Sequence, residues 1–374
     1  MAEAHIEWSD VEHLLPAGWR DLAGRLNLVR KCPPHMGTKV TDIGDVLRLV
    51  FYMVNMNTSL VTASATFAAA GLLALSAVAL HKWMRRLGPY LAELLAQMVA
   101  KEHAHFAPER WAGYVPVLVD ATVVNSPGAK GTTVRVHKAL RLCDLRVMEV
   151  IVANVKTGET FRNFKPKPGQ LFFGDRIYAN PPGIAHVKDA EADVLVRYNR
   201  GALPLYDAAG APIDVFEKLA LLRKPCRPRE WQAFVHADGD RKIQGRLVCV
   251  RLPKDKAEEA RARARKEQGT AVTEATLRMA EFVVVFTTVP RDKLGTEAIL
   301  ELYRLRWLVE LEFKRDKSIT GLDRLPNFRA DTIESWIYAK LLLHQIARKL
   351  AASIGDFPPC AIGDAALRGR RFAA

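Results

Sequence analysis

The chain reads as an α/β (α+β) protein in which an all-helical N-terminal segment precedes a mixed sheet. Three features point there. Residues 1–108 contain no alternating apolar and polar run, only segments with apolar side chains at helical spacing. After Pro108, short runs rich in Val, Ile and Leu follow one another, bounded by Gly, Pro and Asn. Residues 296–317, TEAILELYRLRWLVELEFKRDK, return to helical periodicity without a Pro or Gly.

In the N-terminal segment, helices are expected at 10–15, 19–26, 43–53, 59–69, 77–86 and 90–102. Gly71 separates the fourth from the fifth, and Ser76 is a good cap for the fifth, which ends in His81, Lys82, Arg85 and Arg86. Two short helices joined by a Gly-containing turn, the second bearing cations, fit a helix-turn-helix DNA reader. A plain bundle with a basic exposed end fits as well, and both readings stay open.

The sheet begins with VPVLVDATVV, a buried strand run at 115–124 interrupted by one acid, Asp120. A Gly/Pro turn holding Lys130 follows, then strands at 133–143 and 145–155, a short helical piece near 158–164, and an apolar strand at 171–173 that ends at Asp175. Asn180-Pro181-Pro182 opens a helix towards 192, and 193–199 makes a fifth strand. Residues 200–290 read as a β-rich insertion with strands at 231–237, 244–251 and 281–288, plus a solvated charged helix at 254–268. A long helix is expected at 331–351. The implied division is a helical, DNA-end-binding domain at 1–108, a core split into 109–199 and 291–351 by the insertion at 200–290, and a basic tail at 352–374.

The chain has 374 residues, with 55 Lys plus Arg against 41 Asp plus Glu and a formal charge of +14. That balance favours a polyanionic partner, nucleic acid before anionic membrane. Five scattered cysteines (Cys32, Cys143, Cys226, Cys249, Cys360) without a C-x-x-C read as reduced thiols of a cytoplasmic protein. The opening residues are acidic and amphipathic, unlike a secretory signal. Residues 60–80 are uncharged and long enough to span a bilayer, but they are mostly Ala, so no membrane segment is expected. His103, His105 and His137 read as surface or core polar residues. Neither a Ser/His nucleophile arrangement nor a phosphate-cradling Gly loop is present, so no nucleotide cofactor is expected.

On a helical wheel, residues 296–317 place Arg306, Glu310, Lys314 and Lys317 at about −60°, −20°, +20° and −40° from Tyr303. Leu302, Leu305, Leu308, Val309 and Phe313 occupy the other side, a face suited to packing on a sheet; Glu312 breaks that pattern. Arg306 and Glu310 can also be a plain i,i+4 ion pair. An isolated Asp in an apolar strand is costly to bury unless paired or bound to metal. If the strands of Asp120 and Asp175 are neighbours, both carboxylates emerge at one end of a sheet, and Glu310 can complete a triad. Three such carboxylates offer hard oxygen ligands to two Mg²⁺ or Mn²⁺ ions, the chemistry of phosphodiester cleavage and transfer.

Asp120 in LVDAT, Asp175 in GDRIY and the spacing Tyr303-x2-Arg306-x3-Glu310-x6-Lys317 resemble the Asp-Asp-Glu triad and YREK signature of insertion-sequence transposases, specifically the insertion sequence 4 family. PGAKGTTVRVH, NPPGIAHV and LYRLRWLVELEFKRDKSITGLDRLP are similar to that family too. The resemblance implies a ribonuclease-H-like core interrupted by a β-rich insertion. It implies Asp120, Asp175 and Glu310 as ligands of two metal ions, and Tyr303, Arg306 and Lys317 as contacts to double-stranded DNA at the transposon ends. It also implies a homodimer working on paired ends and on target DNA. Ile177 stands where the family often has Gly, which alters a loop and no ligand. Family members usually continue past the helix ending near 351, so a shortened copy is an expectation. A base-stacking aromatic of some relatives has no motif here; Trp231 is the nearest guess. A metal-dependent nuclease of the same fold, or a non-catalytic remnant that binds element ends, are the competing readings.

Overall fold

The computed structural model describes residues 7–29, 40–100, 109–128, 133–239, 241–325 and 330–353. His103, His105, Lys130, Cys32, Cys360 and nearly all of the basic tail lie outside the described residues.

The N-terminal part is helical throughout: α1 (Trp8–Leu14), α2 (Trp19–Arg25), α3 (Ile43–Asn55), α4 (Leu60–Ala69) and α5 (Ala77–Ala100). Ser76 caps α5, its Oγ accepting from Ala79 N–H at 3.2 Å. Two helices were expected over 77–102; α5 instead runs unbroken through Pro89. A proline this deep removes one backbone bond and would normally break or kink a helix. Here the helix is held by its partner, α12 (Ala330–Ser353), which packs along it. Gly88 permits the approach, since a Cβ there would meet the Glu334 carboxylate at 3.3 Å. Residues 60–80 form α4, a turn at Gly71 (φ +67°) and the start of α5. Among the described residues no helix is long and apolar enough to cross a membrane.

One mixed sheet of eight strands forms the rest, in the order β3-β2-β1-β4-β5-β8-β7-β6. β1 (Val115–Val124), β2 (Val134–Arg141) and β3 (Arg146–Asn154) make an antiparallel meander. β4 (Gln170–Gly174) and β5 (Asp193–Arg197) run parallel to β1 and are joined by α6 (Pro181–Asp189), which Asn180 caps through Gly183 N–H at 2.9 Å. α7 (Val215–Ala220) and β6 (Arg229–Ala237), β7 (Arg241–Arg251) and β8 (Phe282–Thr287) follow, with the charged α8 (Lys254–Gln268) and α9 (Glu274–Ala280) between β7 and β8.

The strands expected within an insertion continue this sheet. β8 pairs with β5, Leu195 opposite Thr287, and β7 and β6 add outward from it. An unpaired β5 would leave a row of open backbone donors and acceptors at an edge, and β8 occupies it. Two apolar cores lie on the two faces. On one, Leu118, Leu171, Phe173 and Leu195 pack under α5, α12, α10 (Thr296–Arg304) and α11 (Leu308–Ile319), continuous with the N-terminal helices. On the other, Val117, Val119 and Phe172 pack under α6 and α7. Trp231 on β6 is half-buried against this second core.

Candidate active site

The two aspartates meet through strand register. β1 and β4 are parallel neighbours with Leu118 opposite Phe173, and each aspartate lies two residues further on. Asp175 therefore stands at the carboxyl end of β4 and Asp120 level with it on β1, which runs on past β4 to Val124; this is the end of the parallel pair where open α/β sheets place their ligand sites. Strand alternation sets the face: Leu118 and Val124 point into the core beneath α11, and Asp120 shares their parity.

Asp120 Oδ1 accepts from Ala121 N–H at 2.8 Å. Burial pushes its pKa up to about 7; the Ala121 N–H opposes, the charge of Asp175 adds, Arg306 opposes and Glu159 adds. Asp175 Oδ1 accepts from Ile177 N–H at 2.8 Å and caps a 3-10 turn over Arg176–Tyr178. Gly174 makes room for that turn, since a Cβ would come within 2.8 Å of the Tyr178 ring. Ile177 is half exposed and absent from the residues with positive φ, so this turn does not need a glycine there. Among the described residues neither aspartate has an ion-pair partner. Glu159, a fourth acid facing this corner and held by Arg135 at 3.5 Å, carries no sequence signal because it sits in what looks like an ordinary turn.

The helix expected over 296–317 is two helices. α10 ends at Arg304, Leu305–Trp307 form a 3-10 turn, and α11 carries on to Ile319. Three residues at 3.0 instead of 3.6 per turn add about 60° of rotation, which re-aims Glu310 relative to Tyr303. Leu302, Leu305, Leu308, Val309 and Phe313 are all buried, as their spacing suggests. Tyr303 is buried beside Arg306, its hydroxyl without a well-formed hydrogen bond and its pKa pushed up to about 12 by burial. Arg306 Nη2 donates to Glu310 Oε1 at 2.9 Å, the i,i+4 pair. Glu310 is half exposed and Lys317 partly buried. Asp120, Asp175, Arg306 and Glu310 thus form one chain of charges, with Tyr303 behind it and Arg197 of β5 near Tyr303.

Whether this corner suits divalent ions is decided by its donors. Two carboxylates lie level on neighbouring strands, and burial first, then the charge of Asp175, raises the proton affinity of Asp120; a hard divalent ion would favour the ionised form of both. Glu310 is engaged by Arg306 and does not converge with both aspartates on a single ligating point. Among the described residues, the trio of metal-capable side chains within 4.8 Å of one another is Glu312, Asp316 and His344, all buried. That trio is already compensated. Lys138 Nζ bonds Asp316 and lies 4.0 Å from Glu312, His344 Nδ1 bonds Asp316, and Arg348 donates to Glu312 at 3.0 Å. Burial works against the Asp316 charge, yet Lys138 and His344 hold its pKa below the ordinary carboxylate value. With an ammonium lodged among its oxygens it is an ion-pair network and no metal centre. Its one sequence signal was Glu312, the acid out of place on an apolar face.

The far end of α11 is fastened as well. Gly321 (φ +60°) closes the helix, and Lys340 of α12 donates to the carbonyls of Thr320 and Gly321 at 2.9 and 2.6 Å. Burial pulls Lys340 down to about 8.

Residues 111–346, well over half of the chain and including Asp120, Asp175, Tyr303, Arg306, Glu310 and Lys317, match the family of the transposase DDE domain. The chain belongs to this family. Among similar proteins, the transposase for insertion sequence element IS421 of Escherichia coli is 29% identical over 298 residues, covering 77% of this chain and 79% of that protein. The InsL protein of IS186A from Escherichia coli (strain K12) is equally similar and 80% covered. The transposase for IS231E of Bacillus thuringiensis subsp. finitimus is 27% identical over 106 residues, 28% of this chain and 22% of that one. The piggyBac transposase of a synaptic complex with hairpin DNA aligns over 96% of this chain and 81% of its own at 10% identity and a TM-score of 0.39, too distant to bear on the fold. This transposase therefore carries its acids within a domain that defines a DNA-transposing family.

Proposed function

We propose that this DNA transposase cleaves and joins strands at the ends of its element with Asp120, Asp175 and Glu310 as the ligands of two divalent ions, Mg²⁺ or Mn²⁺. The observation that carries this is the pair of aspartates at one level of adjacent parallel strands, with the Glu310 helix packed on β1. β1 to β5 would form a ribonuclease-H-like core of an insertion sequence 4 type transposase, to which β6 to β8 are appended. When bound, the ions supply an activated oxygen nucleophile and a stabilised leaving oxygen for in-line displacement at phosphorus.

The protein's own groups do the rest. Asp120 and Asp175 present oxygens at a rigid strand end. Arg306 exchanges its bond to Glu310 for a DNA phosphate, freeing the carboxylate for the site, and its fork suits phosphate oxygens. Tyr303 near the end of α10 and Lys317 on α11 contact the backbone beside the scissile bond. Lys82, exposed on α5, serves end binding by the N-terminal helices, whereas Arg85 and Arg86 are engaged with Asp331 and the Asn27 carbonyl. The working form would be a homodimer on paired inverted repeats, in the cytoplasm.

The test is incubation of the full chain with Mg²⁺ and a labelled duplex bearing the inverted repeats that flank its reading frame, beside Glu310→Gln and Asp120→Ala. Nicks at the repeat boundary and joined products should appear with the native chain and vanish in both variants, with end binding retained. Nicks that persist in either variant would overturn the assignment of the acids.

A further inference from the structure

We infer that Lys138 is a positioning residue for Glu310, acting through a buried ionic latch that sets the rotation and axial register of α11 over the aspartate strands. The inference rests on reading Asp120, Asp175 and Glu310 as one site. Lys138 stands directly opposite Asp120 in the β1–β2 pair, on the same face of the sheet. Its fully buried ammonium crosses to α11, bonding Asp316 and approaching Glu312, with the Phe313 ring 5.5 Å away. From the other side α12 grips the same two acids, His344 on Asp316 and Arg348 on Glu312. Arg348 also donates to the Leu145 carbonyl in the turn between β2 and β3, at 3.0 Å.

The geometry makes this a register device. Asp316 lies about 9 Å along the helix and about 120° round from Glu310. A contact that fixes Asp316 therefore fixes where Glu310 points, with no contact to Glu310 itself. The apolar face of α11 is not directional, so Leu308, Val309 and Phe313 would tolerate a small slide or roll that hydrogen-bonded charges do not. Lys138 is one strand from Asp120, so the latch ties the third acid to the strand pair that carries the first.

The experiment is binding of Mn²⁺ to the full-length chain saturated with a duplex bearing its inverted repeats, whose phosphates release Glu310 from Arg306, with free Mn²⁺ counted by electron paramagnetic resonance and the duplex-only background subtracted, in a double-mutant cycle. Glu310→Gln is measured in the native background and in a Lys138→Met/Asp316→Leu background, which replaces the buried pair by apolar groups of similar length. Circular dichroism and the melting temperature verify folding. In the native background Glu310→Gln should weaken Mn²⁺ binding about tenfold. In the latch-free background binding should already be weaker, and Glu310→Gln should change it by less than about twofold. An equal factor in both backgrounds would overturn the latch while leaving the three-acid reading intact. No effect of Glu310→Gln in the native background would instead remove the three-acid reading, and the latch with it. Should the paired variant not reach the native fold, Asp316→Asn, which removes the charge that holds the ammonium and keeps the side chain's shape, enters the same cycle with the same two outcomes.

Discussion

At the scale of single residues, Asp120 shows the cost of burying a carboxylate in the sheet. Its ordinary pKa near 3.8 rises to about 7 in the fold, chiefly through burial. Between those values the folded chain keeps a proton that the unfolded chain has released. The contribution of this group to stability is therefore fully present below about pH 4 and is lost as the pH rises towards 7. Asp120→Asn removes the desolvated charge, so above pH 7.5 the metal-free variant should be more stable than the native chain by about 1–3 kcal/mol. The gap should close as the pH falls to 4. Thermal melts of both proteins in chelator across that range measure it, and an Asn variant melting lower at pH 8 would contradict the account. On the proposed reading of Asp120 as a metal ligand, Mn²⁺ affinity of the native chain should decline below pH 7, because a carboxylate must be deprotonated to bind the ion.

At the scale of elements, α11 is the piece whose placement matters, and it is held at three places: the Arg306–Glu310 corner, the Lys138 latch and the Lys340 cap. Much of the fastening comes from α12, whose Trp336 is fully buried between the helices and the sheet core. Trp336→Ala should cost about 3–5 kcal/mol in chemical denaturation. Arg85→Ala, which removes only the exposed pair with Asp331, should cost about 1 kcal/mol or less. A comparable loss from both would mean that α12 is held to α5 by charge instead of packing. The 3-10 turn at Leu305–Trp307 is the element the periodicity could not foretell, since the same apolar spacing suits one straight helix or two.

At the scale of the whole molecule, one apolar core runs from the N-terminal helices through α5 and α12 to the sheet. The helical part is therefore not an appendage that melts alone. Calorimetry should show the N-terminal helices and the sheet unfolding in a single transition, and a separate low-temperature transition for residues 7–100 would refute this. The sheet is equally continuous across residues 229–287. Any DNA end lying along the carboxyl end of β1 and β4 thus meets a rigid body that includes the strands expected to form an insertion.

Element types along the chain were legible because they rest on local spacing: the strand runs around Asp120, the Asn180 and Ser76 caps, the apolar stripe of Leu302 to Phe313. The acids Asp120, Asp175 and Glu310 stood out for the same reason, each being a charge out of place or a member of a spaced motif. Which strands are neighbours is a non-local matter, and only the folded chain places Asp120 level with Asp175, joins β8 to β5 and carries α5 through Pro89 against α12. Of the Lys138–Asp316–Glu312–His344–Arg348 network, only the misplaced Glu312 was legible, for that reason. Its members are far apart in sequence, and a buried lysine in a strand looks like any solvent-facing one until the helix that covers it is known.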